Sequence, residues 1–100
     1  MSKPRILIVE DEPTIAAVLA DNLQAEGYEP VVVADGAAAI SAWQENEPTL
    51  VVLDVMLPHL NGYEVCHKMR TLGYETPVLY LSAKGELDDR LAGLEAGGDD

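Results

Sequence analysis

The stretch Leu50-Val51-Val52-Leu53-Asp54-Val55-Met56-Leu57-Pro58 decides the fold. Its first four residues are apolar and two are β-branched, the pattern of a strand buried on both faces in a parallel sheet. The run stops on a carboxylate. A charge at the end of a buried strand is costly unless something pairs with it or uses it. In open α/β sheets, ligands bind in the crevice at the carboxyl ends of the strands. Asp54 is therefore read as a functional acid.

Outward from that strand, the chain alternates. Ile6-Leu7-Ile8-Val9 is a second short apolar run, followed by Glu10, Asp11 and Glu12. Pro13 suits the first turn of a helix, and acids just before it favour a helix N-terminus. Ile15, Leu19 and Leu23 recur at helical spacing up to Gly27, a C-terminal stop. Pro30 to Val33 reads as the next strand, its leading proline suiting an edge. Asp35-Gly36 is a turn and cap. Ala39, Ala42 and Trp43 mark a short amphipathic helix closed by Glu47-Pro48. Beyond Pro58, Asn61 is placed to cap a helix whose buried face is Val65, Met69 and Leu72, ended by Gly73. Pro77 to Leu81 is a fourth strand, ending on Ser82-Ala83-Lys84. Leu87, Leu91 and Leu94 form a last helical stripe before Gly97-Gly98. The order βαβαβαβα predicts a right-handed wound α/β sheet.

The totals narrow the function. One hundred residues make at most a single domain with one modest core, and 48% hydrophobic content argues for a folded globule. A formal net charge of -12 argues against direct contact with nucleic acid or an anionic membrane. The single cysteine, Cys66, has no internal disulfide partner, so a reducing, cytoplasmic setting is expected. No apolar run approaches membrane-spanning length, and Ile6 to Val9 is too short for a signal-peptide core.

Three strands end in reactive polar groups: Glu10-Asp11, Asp54 and Ser82. If those strands are neighbours, the groups converge on one crevice. Clustered carboxylates repel, which raises a pKa or calls for a cation, and Mg²⁺ is the usual cation for carboxylate and water ligands. A metal beside a carboxylate and a hydroxyl points to phosphoryl transfer onto the carboxylate. Glu12 is read as a helix-start cap. On spacing alone, Ser82 reads equally as a phosphoryl-facing hydroxyl or a polar strand terminus. His59 and His67 read as solvated surface, Cys66 as a small core residue and Trp43 as packing.

The run Ile6 to Pro13 resembles the first strand and acidic pocket of two-component response-regulator receiver domains. Asp54-Val55-Met56-Leu57-Pro58 with Asn61-Gly62 is similar to the same family, as are Pro77 to Lys84 and Gly97-Gly98-Asp99-Asp100. The resemblance runs through the whole chain in the family's order, as one receiver domain over residues 1–100. It implies a flavodoxin-like, doubly wound parallel sheet of strand order 2-1-3-4-5. It implies that Asp54 is the phosphoacceptor for a histidine-kinase phosphoryl group. Asp11 and Asp54 would ligate Mg²⁺ directly, Glu10 through water, and the main-chain carbonyl of Met56 would be a further ligand. Ser82 would be the switch hydroxyl, with Ala83 leaving room for the phosphoryl group. Leu57-Pro58 and Gly62 would shape the loop beside the pocket. No catalytic cycle is expected beyond self-phosphorylation and autodephosphorylation. The signal would pass to an output domain or target protein beyond Asp100.

The family continues into a fifth strand with a pocket lysine, a switch aromatic and a fifth helix, all past Asp100. Without that strand, the fourth strand is expected to be an edge prone to self-association together with the last helix. Three other readings compete. An aspartate-nucleophile phosphatase of the haloacid dehalogenase type needs a second acid two residues after the first, where this chain has Met56. A nucleotide- or flavin-binding module wants a glycine- or hydroxyl-rich loop after the first strand, where Glu10-Asp11-Glu12 would repel phosphate. A phosphorylation-independent receiver-like interaction module is the third, with the intact acids against it.

Overall fold

The computed structural model describes residues 3–81. They form β1 (Arg5–Val9), α1 (Pro13–Ala25), β2 (Glu29–Val33), α2 (Gly36–Asn46), β3 (Leu50–Asp54), α3 (Gly62–Thr71) and β4 (Val78–Leu81). Ser82, Ala83, Lys84, the Leu87-Leu91-Leu94 stripe and the terminal glycines lie outside the described residues.

The four strands form one parallel sheet in the order β2-β1-β3-β4. β1 and β3 are central, which is why both read as unbroken apolar runs: each has a neighbour on either side and a covered face above and below. β2, with Pro30 in it, is an edge paired only with β1 among the described residues. Leu7, Val9, Val51, Leu53, Val78 and Tyr80 alternate onto one face. There they meet Ala39, Ala42 and Trp43 of α2 and Val65, Cys66 and Met69 of α3. The intervening Ile6, Ile8 and Val52 are also buried, on the opposite face, to which α1 brings Ala16. With helices on both faces, the sheet is doubly wound.

Helix boundaries follow local chemistry. Asp35 accepts the Ala38 N–H at 2.8 Å and caps α2. Asn61 and Glu64 form a reciprocal capping box on α3, each side chain accepting from the other's backbone N–H at 3.0 Å. Helices α1 and α3 both end in Schellman turns. Gly27 and Gly73 take φ of +95° and +93°, and the next N–H, of Tyr28 or Tyr74, donates back to Leu23 or Met69 at 3.0 Å. Away from the carboxyl ends of the strands, Trp43 Nε1 donates to Thr76 Oγ1 at 3.0 Å. Arg70 donates to the Tyr74 and Thr76 carbonyls, so the connection from α3 to β4 is tied to two helices.

Two helical stripes differ from the spacing. In α1, Ala16 is the buried residue, Leu19 and Leu23 are half-buried, and Ile15 is 45% exposed. The small Ala16 faces the sheet, leaving Ile15 and Leu19 to flank it. In α3, Val65 and Met69 are buried, but Leu72 is the C-cap and is exposed. Tyr74, just past the Gly73 turn, packs on the core instead. No helix among the described residues is long and apolar enough to cross a membrane.

Candidate functional site

Parallel pairing brings the strand ends together. Val9 is in register with Leu53 and Asp54 with Leu81, so Glu10, one residue past Val9, stands beside Asp54 at the carboxyl edge of the sheet. Glu10, Asp11 and Asp54 each offer a carboxylate oxygen, and these three oxygens lie within 4.8 Å of one another. Glu10 and Asp54 are buried, at 5% and 4% exposure, while Asp11 opens to solvent. These acids and Glu12 line a cavity of about 270 Å³, and the other described residues that line it are apolar: Ile15, Leu19, Met56 and Leu81.

Each acid is held differently. Glu10 accepts the Glu12 N–H at 3.0 Å, while its own N–H continues the ladder onto the Val33 carbonyl at 3.0 Å. Asp54 Oδ1 accepts the Met56 N–H at 3.0 Å. Glu12 is the N-cap of α1, its side chain accepting from Thr14 N–H at 3.4 Å. It stands at the helix start and outside the three-acid group.

The electrostatics follow from this crowding. Burial, opposed by the Glu12 N–H and reinforced by the nearby Asp54 charge, pushes the Glu10 carboxyl up to about 7. A cluster in which one acid competes for a proton near neutrality is placed to exchange that proton for a cation. The donor set is hard oxygen, which suits Mg²⁺, Ca²⁺ or Mn²⁺ over softer metals. Octahedral ligands on Mg²⁺ lie about 3–4 Å apart, so this spacing needs only small side-chain adjustment to fit one.

Of the residues read from the sequence, Glu10, Asp11 and Asp54 are brought together, and Met56 lines the same cavity with its side chain 66% exposed. Ser82 lies outside the described residues. His59 and His67 are exposed and Cys66 is buried. Three features escaped the sequence. The Met56 N–H grips Asp54. Ile15 and Leu19, read only as apolar residues at helical spacing, line the pocket. His59 adopts a φ of +69°. Only the last had a sequence signal, since it sits just after Pro58 and before Asn61-Gly62, a run of turn-forming residues.

The loop from Val55 to Asn61 is anchored at both ends. Val55 N–H donates to Leu81 O, and Gly62 N–H returns to Val55 O, each at 3.0 Å. A Cβ on Gly62 would lie 2.5 Å from the Asp54 carbonyl oxygen and 3.0 Å from Val55 Cα. Glycine here lets the start of α3 rest directly on the backbone of the key strand.

The fold is a doubly wound parallel sheet that gathers hard-oxygen acids at the ends of its two central strands, where ligands of such sheets bind. The chain belongs to the response regulator receiver domain family, whose profile matches residues 6–100. Curated relatives include the transcriptional regulatory protein TcrA of Mycobacterium tuberculosis, 49% identical over all 100 residues of this chain and 40% of that protein. The alkaline phosphatase synthesis transcriptional regulatory protein PhoP of Bacillus subtilis is 44% identical over 96% of this chain and 40% of its own length. The chain thus spans about two fifths of these relatives. Among solved structures, the Francisella response regulator 1452 receiver domain superposes with a TM-score of 0.88 at 30% identity, over 97% of this chain and 80% of that one. The BeF3-activated N-terminal receiver domain of Klebsiella pneumoniae RstA gives 0.86 at 29% identity, over 96% and 81%.

Proposed function

We propose that this receiver domain takes a phosphoryl group from a phosphohistidine of a kinase onto Asp54, and that the aspartyl phosphate changes its contacts with an output domain or target protein. The observation that carries the reading is the Glu10-Asp11-Asp54 cluster at the ends of β1 and β3 in a chain of this family. An Asp54 carboxylate oxygen attacks phosphorus, the phosphorus–nitrogen bond breaks, and its electron pair leaves with the imidazole. Asp11 and Asp54, with Glu10 and the Met56 carbonyl, would hold Mg²⁺, which when bound offsets the charge of phosphate and carboxylates. The Met56 N–H fixes one Asp54 oxygen by hydrogen bonding, which leaves the other for attack. Burial of Asp54 beside the apolar wall limits water at the reacting oxygen. Ser82, directly after the Leu81 that pairs with Asp54, supplies the switch hydroxyl. The chain runs no other catalytic cycle. The family relation to transcriptional regulators supports an output that acts on gene expression.

The test is intact-mass measurement of the full-length protein after incubation with a small phosphodonor and Mg²⁺. Wild type is expected to gain one phosphoryl group and Asp54→Asn none. Equal uptake by the two proteins would overturn the assignment.

A further inference from the structure

At the N-terminus of α2, Gly36 is buried against the loop that follows Asp54. A Cβ on Gly36 would lie 2.8 Å from the Leu60 carbonyl oxygen, 2.9 Å from Leu60 Cβ and 3.1 Å from Leu60 Cδ2. The nearest of these is backbone, so the loop itself would have to move. Leu60 closes a tight turn, its N–H donating to the Pro58 carbonyl at 2.7 Å across His59, whose φ is +69°. A γ-turn with positive φ at its centre is the strained form, and surrounding structure must hold it in place. Gly36 and Leu60 supply such a hold on one side. The other end of the same loop reaches the pocket, where the Met56 N–H binds Asp54 Oδ1.

We infer that Gly36 is a positioning residue for the acid pocket: by admitting Leu60 it holds the 55–61 loop down, and through Met56 it holds the Asp54 carboxylate in its ligating orientation. Gly36 touches no pocket acid and acts through two intermediaries, a turn and one hydrogen bond. The inference rests on the reading of Asp54 as metal ligand and phosphoryl acceptor, but its first test needs no metal.

That test is hydrogen exchange at the Met56 amide in metal-free full-length protein. Gly36→Ala and Leu60→Ala are compared with wild type and with Gly73→Ala. Gly73 has φ of +93° and open space around its missing Cβ, so alanine there strains the backbone at the far end of α3 without touching the loop. The Met56 amide is expected to exchange about tenfold faster in both loop variants, and at the wild-type rate in Gly73→Ala after correction for global stability. Leu60 is only half-buried, so Leu60→Ala carries the test if Gly36→Ala does not fold. Unchanged Met56 exchange in the folded loop variants overturns the inference. In the same proteins the Mg²⁺ dissociation constant is expected to rise about tenfold or more for the loop variants and not for Gly73→Ala. An absence of Mg²⁺ binding by wild type would count against the phosphoryl-acceptor reading, while the amide result would still decide the role of Gly36.

Discussion

The Met56 backbone N–H donates to Asp54 Oδ1 at 3.0 Å, so the residue two places after the strand-end acid sets that acid's orientation. The Met56 side chain meanwhile points out beside the same cavity, 66% exposed. One residue therefore fixes the carboxylate through its backbone and borders its approach through its side chain. Any side chain tolerated at position 56 preserves the first role, and the second varies with its size.

Metal binding separates Asp11 from Glu12. Asp11→Asn is expected to weaken Mg²⁺ about tenfold or more, because it removes a charged oxygen from the three-acid group. Glu12→Gln is expected to change it by less than about threefold and to cost roughly 0.5–1 kcal/mol in stability through the α1 cap. Calorimetric titration and urea unfolding of the three proteins check this. A larger metal loss at Glu12 would shift the site by one residue.

Glu10 makes metal-free stability fall as pH rises. Its folded pKa, about 7, lies above the ordinary value of 4.5, so the native state binds the proton more tightly than the unfolded chain. The stabilisation is complete below pH 4.5 and is lost as pH rises through 7. The loss is on the order of 2 kcal/mol after allowance for solvent on the open side of the pocket. Glu10→Gln is expected to match wild type near pH 4.5 and exceed it at pH 8 when both are stripped of metal. Urea unfolding across that range measures it. For wild type, Mg²⁺ affinity should rise over the same interval as the proton is displaced.

Among the described residues the buried Tyr80 hydroxyl has no hydrogen-bond partner of ordinary geometry, and the Cys66 thiol lies beside it. Burial, and then the neighbouring Cys66 thiol, hold it protonated well above the usual range, and its ring packs on Tyr63 with centroids 5.0 Å apart. A thiol is a weak partner, so removing this buried hydroxyl while keeping the ring relieves a desolvation cost at the loss of little hydrogen bonding. Tyr80→Phe is therefore expected to leave stability unchanged or raise it by up to about 1 kcal/mol. Thermal and urea unfolding decide it, and a loss of more than about 1 kcal/mol would reveal a stronger partner for the hydroxyl.

Gly62→Ala is expected to cost roughly 1–3 kcal/mol, since the new Cβ meets the backbone of Asp54 and Val55 and no flexible side chain is available to yield. Denaturant unfolding gives the stability term. Phosphoryl uptake by the folded fraction should also fall, because the displaced backbone carries Asp54.

What the sequence determined by itself is set by short-range rules. Apolar runs of four residues, a proline at an edge strand, glycines past helix ends and Asn61 ahead of Glu64 each act within a few residues, and each appears where those rules put it. The pocket acids were legible for a related reason. Parallel strands place their carboxyl ends side by side, so acids ending two central strands must meet. Tertiary structure decided what depends on packing between distant segments. Ala16 is the buried residue of α1 and Ile15 is exposed, a choice made by how the helix sits on the sheet and not by the apolar spacing alone. Leu72 is exposed because the helix ends before the periodicity does. The proton held at Glu10 comes from burial and the neighbouring Asp54 charge, which meet only once the strands have paired. Gly36 looked like an ordinary turn glycine; its place beneath Leu60 exists only because the crossover from β2 to β3 brings the start of α2 against a loop more than twenty residues away.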